Sequence, residues 1–527
     1  MISPRASRPP RTGTNRLVQI LIVMTAASLT TPEANSQSPS DRALRRSEAV
    51  VAIDQALHQL WQAQGTAPSS DITDSAFVRR VTLDLIGRIP TSHEARTFLA
   101  ESDPRKREKL VDRLLKSPAH ARQLAAFWRR SWVPQTEGNS GSEVARLFEE
   151  WFIDRLSQGA SYAQLSRDVL TVPVHQSMKT PDLHSESIAG SVFAAVSESR
   201  PETIASNTAR AFLGLNLDCA QCHDHPFARW TQEQFWQTAA FFSGSSRKRV
   251  AGLGPLQMQI PEVNRTVTAA LPTGETLAGS RLDSDEAGQR AFVEWITSPE
   301  NRYFVRNVVN RMWARHCGSG IVEPLDDLSD DNLRDAPALL DILCEQFIRS
   351  GMDLTELERM IVLSAAYRRD SRGEAASSSF AVHPVRLLDG RQLLASLQTA
   401  AGQSTGSSRG SAPWLDQQRF VSQFLVERPA TAQMSPLQAL VLMNGSPVQE
   451  LSAAEASPLL LSLQAPFLTD SQRLDEIFLA VYSRFPSADE VTRLLPAGDQ
   501  PEEAKWKEHW SPLFWALLNS SEFITNH

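Results

Sequence analysis

Apolar residues recur every three or four positions along most of this chain, and this spacing restricts the fold more than any other feature. Val50, Ile53 and Leu57 would share one face of a helix, and residues 304–313 repeat the same spacing. A strand would instead alternate apolar and polar residues with a period of two. The sequence therefore predicts a mainly α protein.

Capping and turn signals divide the first half into short helices. Gly87 follows one apolar face and suits the left-handed position beyond a helix end. Thr91 and Glu94 have the spacing of a capping box that opens the next helix, and Asp103-Pro104 opens another. Short helices joined by short turns predict antiparallel helical bundles.

The length of the chain favours two domains, because 527 residues exceed what one hydrophobic core usually holds. Between the helical parts, Val263 and Val267 alternate with polar residues, which predicts a β-hairpin with its turn near 272–274. The fold class is thus two helical-bundle domains with a small β-hairpin insertion between them. We predict a signal peptide at 1–36, a first helical domain at 45–250, a hairpin connector at 251–284 and a second helical domain at 285–527.

The N-terminus has the layout of a secretory signal. Four arginines precede the apolar run 17–24, and small residues follow up to Ser36, where we place the cleavage. An uncleaved N-terminal anchor is the alternative. We therefore expect a periplasmic or secreted protein, in a compartment where disulfides can form.

Charge and motif content narrow the classes of function. The net charge is −7, and no Lys/Arg block follows the first residues, so the sequence does not favour nucleic acid as a partner. No later segment is apolar for long enough to cross a membrane. A nucleotide-binding loop, a Gly-x-Ser-x-Gly elbow and a His-Glu-x-x-His helix are also missing from the sequence. Whether the protein is an enzyme stays open.

The sharpest chemical feature is the segment Cys219-Ala220-Gln221-Cys222-His223. In c-type cytochromes the two thiols of Cys-x-x-Cys bind the vinyl groups of haem, and the next His ligates the iron. Cys219, Cys222 and His223 therefore predict a haem c site, with His223 as the proximal ligand. Spacing singles out no second axial ligand; the nearest candidates in sequence are His175, Met178, His184, His225 and Met258.

The same residues also fit a metal site or a disulfide. Cys219, Cys222, His223 and His225 could bind a single transition metal, although seven residues crowd a tetrahedral site. Alternatively, Cys219 and Cys222 could form a structural disulfide and bind no cofactor. A thioredoxin-like dithiol is less attractive, because no βαβ alternation precedes the motif.

Three further features bear on these interpretations. Aromatic residues from Phe227 to Phe242 could line a haem crevice, but core packing is the favoured interpretation. Cys317 and Cys344 could pair or stay as buried thiols. The segment 88–99 is echoed by 484–495, in the pattern Arg, apolar, Pro, Ser/Thr, two spacers and Glu; shared turn chemistry is favoured over duplication.

Longer segments carry a resemblance to a known family. Residues 77–90 and 212–227 resemble the planctomycete-type cytochrome-c-like domain of unknown function, over about 48–245. The second half resembles its companion, the planctomycete-specific domain, through segments at 310–314, 320–328, 438–445 and 515–523. The resemblance implies an exported two-domain protein.

The resemblance implies haem binding only for Cys219, Cys222 and His223. Many such proteins hold a further small cytochrome domain ahead of these two, which this sequence lacks, so we expect at most one haem. The predicted function is electron transfer with an unknown periplasmic redox partner. The alternatives are a non-catalytic binding or scaffold protein with a Cys219–Cys222 disulfide, and a metal-binding protein.

Overall fold

The first helices begin and end at the residues that cap them. In the computed structural model, Thr73 accepts a hydrogen bond from the Ala76 N–H and opens the helix Asp74–Ile86. Gly87 ends that helix with a φ of 75°, a left-handed conformation that favours glycine. Thr91 and Glu94 then form the predicted capping box. The signals at Gly87 and Thr91 are confirmed, whereas the next helix begins at Lys106, after Asp103-Pro104, and has no side-chain cap.

The structure describes residues 39–134, 142–174, 188–224, 230–246, 250–261, 263–273, 277, 282–328, 330–334, 337–403, 419–424, 433–496 and 505–527. The predicted signal peptide lies outside them. The helices of the first half are α1 Pro39–Gln64, α2 Asp74–Ile86, α3 Ser92–Ala100, α4 Lys106–Leu115, α5 Pro118–Trp132, α6 Ser142–Ser157, α7 Tyr162–Leu170, α8 Ile188–Val196, α9 Pro201–Thr208 and α10 Gln232–Ala239. Shorter turns complete this part: a π-helix at Ala209–Leu213 and 3-10 helices at Asp218–Gln221 and Ala240–Ser245.

The second half is also helical. Its first helices are α11 Asp285–Ile296, α12 Arg302–Cys317, α13 Asp330–Leu333, α14 Ala338–Arg349, α15 Leu354–Leu363 and α16 Gly390–Ala400. The remaining ones are α17 Pro436–Asn444, α18 Ser446–Ser452, α19 Pro458–Leu463, α20 Asp470–Tyr482, α21 Ala488–Leu494, α22 Ser511–Leu518 and α23 Ser521–Ile524, with a 3-10 turn at Ser377–Ser379 and a π-helix at Trp506–Trp510. The mainly α class is confirmed.

The predicted hairpin is present, but its turn lies elsewhere. Strands β1 Gln257–Ile260 and β2 Arg265–Thr268 pair antiparallel, with Met258 opposite Val267. The turn therefore precedes β2, and the prediction of a turn near 272–274 is wrong. Asn264, with a φ of 52° and its N–H bonded to the Ile260 carbonyl at 3.0 Å, tolerates the left-handed conformation that this turn needs.

A second small sheet joins distant parts of the chain. Strand β3 Arg386–Leu387 pairs antiparallel with β4 Thr525–Asn526. The sequence pattern did not predict this sheet, because two residues are too few for a visible alternation. It brings β4 next to α2, where Asn526 contacts Asp84.

The largest hydrophobic core draws on both predicted domains. The Tyr162 ring lies 5.0 Å from that of Trp128 and 5.0 Å from that of Phe304, centroid to centroid. Residues Leu44–His527 form one compact unit. The boundaries placed at 250 and 285 stay a prediction. Among the described residues, no helix is both long enough and apolar enough to cross a membrane.

The repeated Arg–apolar–Pro segments have the same local structure. Helices α2 and α20 each contain 13 residues, and the residue after each helix, Gly87 or Ser483, is left-handed. Arg88 and Arg484 then each make paired ion contacts to a glutamate six positions on, at 2.8 to 3.0 Å. Each of these glutamates also completes the capping box of the following helix. The two segments therefore share the same turn chemistry, which is the interpretation that the sequence favours.

Candidate functional site

The Cys-x-x-Cys-His segment lies on one turn at the protein surface. Residues Asp218–Gln221 form the 3-10 helix, and Ala220 is buried beneath it. Cys219, Cys222 and His223 are all exposed. Both cysteines are free thiols. The turn therefore presents the two sulfur atoms and the imidazole to solvent within five consecutive residues.

Side chains of helix α10 bind the backbone of this turn. Gln232 Nε2 donates to the Cys222 carbonyl oxygen at 2.8 Å, and Trp236 Nε1 donates to the Gln221 carbonyl oxygen at 3.0 Å. In return, Asp224 Oδ1 accepts a hydrogen bond from the Gln232 backbone N–H at 2.8 Å. The turn and the start of α10 thus satisfy each other's backbone groups, which fixes the position of the motif.

The hydrogen bond of His223 determines which ring nitrogen is left for a ligand. His223 Nδ1 lies 2.8 Å from the backbone carbonyl oxygen of Asp224. A carbonyl oxygen can only accept, so Nδ1 carries the proton of this bond. In the neutral ring, Nε2 then keeps its lone pair. Histidines that ligate metals commonly donate their other ring N–H to a carbonyl oxygen in this way.

The chain that leads into the motif is held by the second half of the protein. The π-helical turn Ala209–Leu213 follows α9 and ends at Gly214. Asn307 Nδ2 on α12 donates to a carbonyl oxygen of this turn at 2.7 Å, and the Leu328 N–H donates to the Gly214 carbonyl oxygen at 2.8 Å. π-Helical turns recur at functional sites.

Most of the further candidate ligands lie outside the described part of the chain. This holds for His225, the alternative metal ligand, and for His175, Met178 and His184. Met258 is described and lies on β1. Within the described part of the chain, no three His, Cys, Asp or Glu side chains are placed to hold a metal ion together.

The aromatic residues after the motif belong to the core. Phe241 stacks on Phe292 with ring centroids 4.3 Å apart. Phe227 lies outside the described residues. The buried members of this group are Trp230, Phe235, Trp236, Phe241 and Phe242. The favoured interpretation, core packing, is confirmed for these five.

The other two cysteines are buried and not bonded to each other. Cys317 and Cys344 are both free. Burial raises the pKa of the Cys344 thiol to about 12, and it also raises the pKa of the Cys317 thiol. Since the thiolate is the reactive form, neither is suited to redox or metal chemistry at neutral pH. The exposed thiols are those of the motif.

Sequence patterns missed a buried charge network centred on Asp84. Its carboxylate accepts two hydrogen bonds from Arg386 Nη2, at 2.8 and 2.7 Å. The Tyr367 hydroxyl donates to it at 2.8 Å, and Asn526 Nδ2 at 2.9 Å. Burial and then the Asp84 charge raise the pKa of Tyr367 well above its ordinary value. This network joins α2 to β3 and β4.

A second buried carboxylate, Glu358 on α15, bonds to two histidines. His120 Nε2 lies 2.6 Å from Glu358 Oε2, and His316 Nε2 lies 2.9 Å from Oε1. Arg315 Nε approaches the same carboxylate at 3.6 Å. Glu358 has no exposed surface. Since a substrate cannot reach it without rearrangement of the core, we assign it a structural role.

Comparison with known proteins finds two protein families. The model of PSCyt2, a protein of unknown function (DUF1549), matches residues 52–247. The model of PSD1, a protein of unknown function (DUF1553), matches residues 288–423. The two matches follow each other in the order that the resemblance implies. No curated protein and no solved structure matches the chain.

Proposed function

The chain belongs to the planctomycete-type family of two-domain proteins of unknown function. From its own residues, we propose that it is an exported protein that carries one covalent haem c and transfers electrons. Cys219 and Cys222 would bind the haem, and His223 would ligate its iron. The partner would be an extracytoplasmic redox protein.

The geometry of His223 is the observation that supports this proposal best. Its Nδ1 proton is held by the Asp224 carbonyl oxygen, which leaves Nε2 without a hydrogen-bond partner among the described residues, and two exposed thiols precede it within four positions. The three residues therefore fit the group: the thiols are accessible for thioether formation, and the imidazole is in the ligating tautomer. When bound, a haem c supplies a one-electron couple at its iron.

The surroundings of the turn would hold the ligand geometry. Gln232 and Trp236 fix the two carbonyl groups that flank the second thiol. A fixed backbone limits the directions in which His223 can point, and the orientation of an axial ligand contributes to the redox potential. These contacts support a site whose backbone geometry is already fixed before the cofactor binds.

Export is the second part of the proposal. The arginines and the apolar run 17–24 at the N-terminus have the layout of a secretory signal. Haem attachment to Cys-x-x-Cys-His and a lasting disulfide both suit an extracytoplasmic compartment. Localisation of a full-length fusion would test this part separately from the cofactor.

A binding or scaffold protein is the second candidate, and the exposure of the thiols favours it. Cys219 and Cys222 lie three positions apart on one surface turn. In an oxidising compartment, loss of two electrons and two protons to an external oxidant would join them and close the loop. This candidate predicts a colourless protein whose motif cysteines pair.

Pyridine haemochrome spectroscopy and intact mass separate these candidates. The full chain is expressed with its own signal in a host that matures c-type cytochromes, beside a control cytochrome. We expect the mass of one covalent haem and a c-type α band. Cys222→Ala should lose one thioether and shift the band. Cys344→Ala, which changes a buried cysteine outside the motif, should keep both thioethers and the unshifted band.

Colourless protein without the added mass, while the control cytochrome matures, would refute the haem. Disulfide mapping of that protein would then decide whether Cys219 and Cys222 pair. Stoichiometric zinc, iron or copper without porphyrin would instead favour the metal-binding alternative.

A further inference from the structure

The β1–β2 hairpin carries a second short motif, separate from the cysteines. Asn264-Arg265-Thr266 has the pattern Asn-x-Ser/Thr, without proline at x, that marks acceptor sites for N-linked glycans. The same pattern occurs at Asn444-Gly445-Ser446 and at Asn519-Ser520-Ser521. Because so short a pattern also arises by chance, the surroundings of each asparagine decide whether a glycan can be attached to it.

The asparagine of the hairpin is presented to solvent. Asn264 lies in the turn that precedes β2, and residues 263–266 are all exposed. Its side-chain Oδ1 accepts a hydrogen bond from Gln259 Nε2. Its Nδ2, the atom to which a glycan would be joined, donates no hydrogen bond within the part of the chain that the structure describes. An enzyme can therefore reach this nitrogen on a surface turn, where modification is best tolerated.

The threonine of the motif is exposed as well. Thr266 lies on β2, opposite Gln259 on β1. The sheet formed by β1 and β2 has no third strand among the described residues, so the motif is not enclosed in a larger sheet. The two side chains that the pattern requires, Asn264 and Thr266, are thus both presented at the same end of the hairpin.

The other two motifs have their asparagines bonded to helices. Asn444 is the last residue of α17, and its Nδ2 donates to the Leu440 carbonyl oxygen at 3.1 Å. Asn519 follows α22, and its Nδ2 donates to the Trp515 carbonyl oxygen at 2.8 Å. In both motifs the amide nitrogen would have to leave the preceding helical turn before it could react. The surroundings therefore favour Asn264 as the acceptor.

The residue two positions before the asparagine makes the same distinction independently. Bacterial oligosaccharyltransferases accept Asn-x-Ser/Thr when Asp or Glu stands at that position. Glu262 stands there for Asn264, whereas Leu442 and Leu517 stand there for the other two motifs. Glu262 lies outside the described residues, and its position is known from the sequence alone. The chain thus contains the bacterial form of the motif once, at the exposed turn.

We propose that Asn264 is the acceptor of an N-linked oligosaccharide, transferred by a bacterial-type oligosaccharyltransferase. The donor is an oligosaccharide joined to a membrane lipid through a diphosphate. Nδ2 of Asn264 loses a proton and forms a bond to C1 of the first sugar, while the bond from C1 to the diphosphate breaks and the lipid diphosphate leaves. The modification is separate from the haem, but it rests on the export part of the proposed function, because these enzymes act outside the cytoplasm.

The first test is transfer in vitro to the purified, folded, full-length protein, which does not depend on export. The protein is incubated with a purified bacterial oligosaccharyltransferase and a lipid-linked oligosaccharide of known mass, beside an acceptor peptide that the enzyme modifies. We expect the intact mass to rise by one oligosaccharide and peptide mapping to place it on Asn264. No gain in mass while the acceptor peptide is modified would overturn the proposal, as would a glycan at Asn444 or Asn519 alone.

Substitutions locate the acceptor. Asn264→Gln should lose the modification completely, and Glu262→Gln should lose most of it. Asn444→Gln is the matched control, because it changes an exposed asparagine in a second copy of the pattern; it should be modified like the wild type. Thr266→Val removes the hydroxyl group but keeps a branched side chain suited to a strand, so it should lose the modification and keep the hairpin.

Thr266→Val carries the test if circular dichroism shows that Asn264→Gln does not fold. Transfer that persists in Thr266→Val or in Asn264→Gln would overturn the proposal.

Coexpression with the same enzyme in a bacterial host separates the acceptor site from export. An exported chain should gain the same mass in the cell as it gains in vitro. Transfer in vitro but not in the cell, while an exported control acceptor is modified, would refute export and with it the modification in the cell. Failure of transfer in vitro would instead refute the acceptor site and leave the proposed export standing.

Discussion

His120 Nε2 lies 2.6 Å from the carboxylate of Glu358, although 238 positions separate the two residues in the chain. This contact joins α5 to α15 inside the core. His316 Nε2 bonds to the other carboxylate oxygen, so one buried carboxylate binds two imidazole rings. Burial by itself raises the pKa of Glu358, but interactions with His120 and Arg315 hold it well below its ordinary value.

Glu358→Gln should therefore destabilise the protein strongly. The amide keeps the size of the side chain but removes the negative charge beside Arg315 and leaves one histidine without an acceptor. Breaking a buried charged contact from one side costs about 3–5 kcal/mol. Chemical denaturation measures the loss. Glu143→Gln, at an exposed ion pair, should change the free energy of unfolding by less than about 1 kcal/mol; an equal effect would contradict the assigned role.

His383 predicts how stability depends on pH. Its ring nitrogens face the carbonyl oxygens of His316 and Pro384, at 3.0 and 3.1 Å. Burial, followed by the charges of Arg80 and Arg386, lowers its pKa well below the ordinary 6.5. The unfolded chain thus binds a proton more readily than the folded protein at acidic pH.

Stability should consequently be constant with respect to His383 above pH 6.5 and fall as the pH drops below it, by up to about 1.4 kcal/mol per pH unit. Glu358, whose folded pKa is also lowered, adds a further loss only below its ordinary value of 4.5. Between pH 7 and 5, His527 adds a loss of the same sign, because burial lowers its pKa from 6.5 to about 4. His383→Gln should therefore reduce the slope of the unfolding free energy in this range; an unchanged slope in the variant would assign it to other groups.

Sequence reasoning succeeded where the determining residues are close in the chain. The capping box at Thr91 and the left-handed Gly87 follow from neighbours within a few positions. The hairpin was predicted but its turn was misplaced, because proline and glycine at 272–274 gave a stronger turn signal than Asn264. A local structural feature can be predicted from the sequence when one residue type gives the dominant signal for it.

The buried networks could not be predicted, because the residues that form them are far apart in the chain. Asp84 and Asn526 are 442 positions apart, and neither belongs to a pattern that requires the other. The same limit applies at the motif: Cys219 and Cys222 were found from their spacing, but the hydrogen bonds of Gln232 and Trp236 depend on how α10 folds back. An unusual polar residue inside an apolar helix face, such as Asp84, is the one signal that could have indicated a buried partner.

The contact of Asn526 with Asp84 should stabilise the attachment of β4. Asn526→Ala removes one donor from the buried carboxylate, and the loss should be about 1–3 kcal/mol in free energy of unfolding. Asn444→Ala provides a control, because the exposed Asn444 amide bonds only to a carbonyl oxygen of its own helix among the described residues. A similar loss in both variants would show that Asp84 does not depend on this donor.

The hydrogen bonds from α10 to the Cys-x-x-Cys-His turn predict that their loss opens this turn locally without unfolding the protein. Gln232→Ala removes the amide that donates to the Cys222 carbonyl oxygen, while the Trp236 contact stays. One hydrogen bond contributes about 1 kcal/mol, so amide hydrogen exchange within residues 219–224 should accelerate by roughly fivefold if local opening governs it. Gln158→Ala, which removes a surface contact to Asp154, is the matched control and should leave this segment unchanged. Acceleration throughout the protein would indicate general destabilisation, and no change at 219–224 would show that Gln232 does not hold the turn.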